Sequence, residues 1–88
     1  MITTYRNPWH HPSTREYGPG FYTTSAKPVE YRGYQIFHRL SFDVVKDGCC
    51  VGQYHGINGA KQFVDKLHGE GDPELVKFAQ ERVASYAA

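Results

Sequence analysis

Apolar and polar positions alternate along Tyr34-Gln35-Ile36-Phe37-His38-Arg39, which sets Tyr34, Ile36 and His38 on one face of a strand and Gln35, Phe37 and Arg39 on the other. Residues 41–46 read as a second strand. The Asp47-Gly48 pair that follows is a strong hairpin signal, because glycine readily supplies the positive φ that tight hairpin turns demand. Residues 49–55 return as a third strand, and the short run Val29–Tyr31, broken at Arg32-Gly33, offers a fourth. After His55 the period changes. Asn58 is the expected N-cap, and Ala60, Phe63, Val64 and Leu67 then fall at i, i+3, i+4 and i+7, the apolar stripe of a helix lying on a sheet. Gly69 and Gly71 end that helix, and Asp72-Pro73-Glu74 starts another in the preferred order of cap acceptor, proline and acid. Its expected buried stripe is Leu75, Phe78, Ala79, Val83 and Tyr86.

These elements define an α+β fold: a three-stranded antiparallel β-meander, with room for the fourth short strand, and two C-terminal helices packed on one face. The other face then carries Arg39, Asp43 or Val45, and Gln53, a mixed surface able to receive another segment or a partner. Residues 1–28 hold Pro8, Pro12, Pro19, Pro28, Gly18 and Gly20, and no period survives there for more than a few positions. The chain therefore divides into an irregular N-terminal arm, 1–28, and a single domain, 29–88. Trp9, Tyr17, Phe21 and Tyr22 are unusual for a disordered tail, so part of the arm is expected to pack on the domain or on a partner.

Composition sharpens this picture at one point. Aromatic residues make up 15% of the 88 positions, as seven Tyr, five Phe and one Trp, and such side chains dominate both cores and interfaces. Net charge is only +1, too weak to set up a field that draws in nucleic acid or an anionic membrane. The basic bias lies at the front, where Arg6, Arg15 and Lys27 face Glu16 alone. No run approaches the roughly 20 apolar residues of a membrane span, and the N-terminus lacks the apolar centre of a signal peptide. Cys49 and Cys50 are adjacent, a pairing that closes no useful loop and suits a reducing compartment. A cytoplasmic protein without membrane contact is expected.

Several residues invite specific chemistry. His10, His11, His38, Cys49, Cys50, His55 and His68 are possible metal ligands, but neither adjacent pair has the two-to-four-residue spacing that converges on one ion. A Cys nucleophile would need activation by His55 or His38, and no orienting third group or oxyanion turn accompanies them. The run Gly56-Ile57-Asn58-Gly59-Ala60-Lys61 joins a strand to a helix, yet it is too short for a phosphate loop and Gln62 follows its Lys. No catalytic residue, metal or cofactor is therefore assigned, and the oligomeric state is left open. The arm interleaves aromatic and basic groups at Tyr5, Arg6, Trp9, His10, His11, Arg15 and Tyr17. Together with Arg32 and Arg39 these are the expected partner-binding residues, because aromatics and Arg anchor protein interfaces. The same groups also stack on bases and meet phosphates, so a small nucleic-acid-binding regulator is the alternative.

Tyr31-Arg32-Gly33-Tyr34-Gln35-Ile36, Phe42-Asp43-Val44-Val45-Lys46-Asp47-Gly48 and Asn58-Gly59-Ala60-Lys61-Gln62-Phe63-Val64-Asp65 form a pattern that resembles short accessory proteins of phages and integrative or conjugative elements. In size, neutrality and composition the chain is similar to the anti-CRISPR class. That resemblance implies a non-enzymatic inhibitor that blocks a host protein complex, a CRISPR effector, by occupying one of its surfaces. Many members of that class are acidic mimics of DNA. This chain is not acidic, so the resemblance implies binding through aromatic and Arg anchors.

Overall fold

The computed structural model describes residues 2–7 and 20–87, the last three of these as backbone only. Six strands and two helices follow in the order β1 (Thr3–Asn7), β2 (Gly20–Thr24), β3 (Val29–Tyr31), β4 (Tyr34–His38), β5 (Phe42–Lys46), β6 (Cys49–Tyr54), α1 (Ile57–Leu67) and α2 (Pro73–Ala87). The fold is α+β. It contains one six-stranded mixed sheet in the order β2-β1-β6-β5-β4-β3. The antiparallel meander runs through β3, β4, β5 and β6. The expected three strands plus a short fourth are thus extended by two more from the segment read as irregular. β1 and β2 form an antiparallel hairpin whose ladder runs from Thr3↔Thr24 to Asn7↔Gly20. β1 then joins β6 in parallel, at Arg6↔Cys49, with the Arg6 N–H donating to the Gly48 carbonyl at 2.7 Å.

Two tight turns set the meander's register. Arg32-Gly33 has φ of 50° and 87°, and Asp47-Gly48 has 51° and 76°. Both central residues are left-handed in each, the pattern of a two-residue turn whose twist matches that of the strands it joins. A bulge between Val44 and Val45 lets Val51 and Gly52 share the space opposite Val44, so Val51 also turns to the helix side.

The helix side of the sheet buries Ile36, Val44 and Val51 against Ala60, Phe63 and Val64 of α1 and Ala79 of α2. The α1 stripe read from the sequence is the one that packs. Its N-cap is Gly56 with no side-chain bond, not Asn58, which lies inside the first turn. Asp72 does cap α2, its carboxylate accepting the Glu74 N–H at 2.9 Å. α2 leans chiefly on α1, while α1 lies across β4, β5 and β6.

The opposite face holds a second buried cluster of Tyr5, Tyr22, Phe37, Val45 and Cys50. Tyr5 reaches from β1 to stack on Phe37 at 5.1 Å and meets Tyr22 edge-on at 5.6 Å. Arm residues thus complete the face that the meander leaves open.

Candidate functional site

The residues expected to bind a partner divide into three groups. Trp9, His10, His11, Arg15 and Tyr17 lie outside the described residues. Tyr5 is 1% exposed, and its hydroxyl donates to Asp43 at 2.5 Å, so its assignment to a contact surface is corrected: it is a core residue. Burial and the Asp43 carboxyl together push its hydroxyl well above the ordinary tyrosine range. Arg39 is half-buried with its guanidinium 4.2 Å from the centre of the Tyr22 ring. Arg6 alone among the described arm residues of the set is exposed. It pairs across strands with Phe21, which is 73% exposed.

Arg32 fastens the β3–β4 turn to the end of α1. One guanidinium nitrogen donates to Asp65 at 2.8 Å and to Glu70 at 2.7 Å, and the other to Glu70 at 3.1 Å. The Tyr31 hydroxyl donates to the same Asp65 oxygen at 2.7 Å, and the His68 ring lies 2.9 Å from the Arg32 carbonyl. The Tyr31 hydroxyl, first, and Arg32, second, hold the Asp65 carboxyl below the usual carboxylate range, while the pair of carboxylates pushes the Arg32 guanidinium up. This cluster joins two layers of the fold, so Arg32 already has internal partners.

Among the described residues the candidate ligands and nucleophiles are dispersed. His38 stacks on Phe42 at 4.2 Å, His68 is held beside Arg32, and His55 is exposed. Among the described residues no group of three or more His, Cys, Asp or Glu is placed to hold a metal. Cys50 is buried, its thiol donates to the Gly52 carbonyl at 3.5 Å, and burial pushes it up, away from the thiolate that attacks electrophiles. No described helix is long and apolar enough to cross a membrane.

The surface feature that sequence reasoning missed is on α2. Leu75 and Phe78, expected in its buried stripe, are 52% and 64% exposed; among the described side chains of that stripe, which do not include Tyr86, only Ala79 is fully buried, with Val83 half-buried. Between α1 and α2 lies a cleft of about 130 Å³. Gly59, Phe63 and Lys66 line it from α1, and Leu75, Phe78, Ala79 and Arg82 from α2. Each set falls at helical spacing on one face. Tyr54 of β6 forms the floor, its ring 5.2 Å from that of Phe63. The period of α2 was the available signal, since it located the apolar stripe, but periodicity does not say whether the protein supplies a surface to cover it.

No family model, curated protein or solved structure matches the chain.

Proposed function

We propose that this is a non-enzymatic interaction protein that acts stoichiometrically by docking on a protein surface of a host complex, in the manner of the anti-CRISPR class that its sequence resembles. The observation that carries this reading is the α1–α2 cleft. Leu75 and Phe78 stand in solvent on a helix whose Ala79 is already anchored in the core, so they form a preformed apolar ridge beside a concave floor. Protein interfaces place such apolar and aromatic anchors at their centres, and helices meet grooves through i, i+3 residues of this kind. The Arg6 and Phe21 pair on the β1–β2 hairpin gives a second, smaller anchor of the aromatic and Arg type. Expression in bacteria whose CRISPR system targets a lytic phage provides the test: the intact protein restores plaque formation and Phe78→Asp does not. Failure to restore plaques against a panel of effector types would remove the CRISPR effector as the target. Binding to naked DNA or RNA that falls steeply with salt would replace the reading with a nucleic-acid one.

A further inference from the structure

The sheet ends at two edges, β2 and β3, and the sequence treats them differently. At β3 the two-residue turn makes Tyr31↔Tyr34 a hydrogen-bonded pair, and alternation makes Val29↔Ile36 another. Glu30 alone in that strand then turns its backbone groups outward, and Pro28 before it has no N–H to offer. A short strand, a charge and a proline are usual means of blunting an edge. β2 has none of them. Its sequence, Gly20-Phe21-Tyr22-Thr23-Thr24, is longer, uncharged and rich in strand-forming residues. Because the Arg6 N–H turns away to the Gly48 carbonyl, Arg6↔Phe21 is a non-hydrogen-bonded pair. The contact of the Thr4 and Thr23 hydroxyls at 3.3 Å marks the next such pair. Phe21 and Thr23 therefore turn their N–H and C=O groups to the open edge, and no described residue pairs with them there. Both side chains are exposed as well, Phe21 at 73%. We infer that this edge takes the β2 strand of a second copy of the chain, antiparallel and two-fold symmetric about Tyr22. Phe21 of each copy then stands opposite Thr23 of the other, an aromatic beside a β-branched residue, and the outward backbone groups of both are satisfied. No charge faces its own image across the seam. Arg6 lies one strand back, and the Tyr22 ring, with Arg39 on its face, leans toward Asn7 of β1. The symmetry gathers Arg6 and Phe21 of both copies onto one surface. This assignment goes beyond the interaction reading and does not depend on it.

The test uses the whole chain, labelled with nitrogen-15, with its mass followed by light scattering from about 10 μM to about 1 mM, the span in which weak contacts form. The mass is expected to double across that range. Over the same range the amide hydrogens of Phe21 and Thr23 are expected to exchange about tenfold more slowly, while that of Tyr22, bonded inward to β1, is protected throughout. Thr23→Pro deletes one outward N–H and leaves the ladder to β1 in place, as an edge proline does, and Phe21→Lys sets a charge at the seam. Each is expected to stay a monomer where the wild type is a dimer. If Thr23→Pro does not fold, Phe21→Lys and the exchange of the wild type decide. A monomer at every concentration with fast exchange at Phe21 and Thr23 overturns the inference and leaves the edge to an extended segment of another protein. A monomer in which those two amides are protected at every dilution also overturns it, because the chain then covers its own edge. A dimer that persists in both variants with the two amides unprotected assigns self-association to another surface, such as Leu75 and Phe78, and equally overturns it.

Discussion

The carboxyl of Asp43 is 1% exposed, and each of its oxygens accepts a hydroxyl, one from Tyr5 at 2.5 Å and the other from Ser41 at 3.0 Å. A buried polar group left without its partner costs far more than a typical hydrogen bond contributes. Tyr5→Phe keeps the stack on Phe37 and removes only the hydroxyl, so it is expected to destabilise the fold by about 1–3 kcal/mol, measured as a lowered urea midpoint at unchanged slope. At Gly52 the constraint is space. A Cβ there would lie 2.9 Å from one Phe63 ring carbon and 3.0 Å from a Tyr54 ring carbon, and both rings are packed at the point where α1 meets β6. Gly52→Ala is expected to cost about 1–3 kcal/mol through overpacking, and an unchanged thermal midpoint would show that the rings move aside freely. Asp65 gives a pH signature. Its carboxyl is lowered by the Tyr31 hydroxyl and by Arg32, so the folded protein keeps it ionised where the unfolded chain takes up a proton. The resulting stability is present above the ordinary aspartate value of about 4 and is lost as pH falls from there through the lowered folded value. The gap in urea midpoint between the wild type and Asp65→Asn is expected to narrow over that window; a gap that stays constant with pH would place the effect of the substitution elsewhere.

Whether an element was legible in the sequence depended on whether its cause was local. Asp47-Gly48 signals its two-residue turn by itself, and Arg32-Gly33, legible only as a break between strands, makes a second one. The α1 stripe and the Asp72 cap of α2 are equally local. β1 and β2 are not. Thr3–Asn7 and Gly20–Thr24 are five residues each, apart in sequence, with prolines after the one and before the other, and their strand character comes from pairing with each other and from the parallel contact of Arg6 with Cys49. No short-range pattern encodes that contact. The candidate site failed to show for a related reason. Leu75 and Phe78 have the spacing of core residues, and only the position of α2, leaning on α1 with Ala79 inward, leaves them outside. This placement separates stability from binding at one position. Phe78→Ser is expected to change unfolding free energy by no more than about 0.5 kcal/mol, as an exposed substitution does, while abolishing partner capture. A loss of stability of several kcal/mol would mean that Phe78 is a core residue after all.

At the scale of the whole molecule, the sheet has two buried faces, and different parts of the chain close them. The C-terminal helices close one. On the other, Tyr5 and Tyr22 from the N-terminal hairpin sit with Phe37, Val45 and Cys50 of the meander, and the Asn7 amide donates to the Tyr22 hydroxyl at 2.6 Å. The two strands Thr3–Asn7 and Gly20–Thr24 are therefore part of the fold. Removing two large aromatic side chains from a packed cluster costs about 3–5 kcal/mol each. A domain of this size has a total stability of about 5–10 kcal/mol, judged from the usual value per residue. The two quantities are comparable, so a chain that begins at residue 26 is expected to lose cooperative unfolding and to bind a hydrophobic dye. It could not then serve as a folded control for the arm's part in recognition. Point variants on the hairpin's outer face, Arg6→Ala and Phe21→Ser, are the appropriate probes, because both side chains stand outside either core. If the truncated chain instead unfolded sharply near the wild-type midpoint, the meander and helices would be sufficient on their own, and the second cluster would have to be read as a docking of the arm on a finished domain.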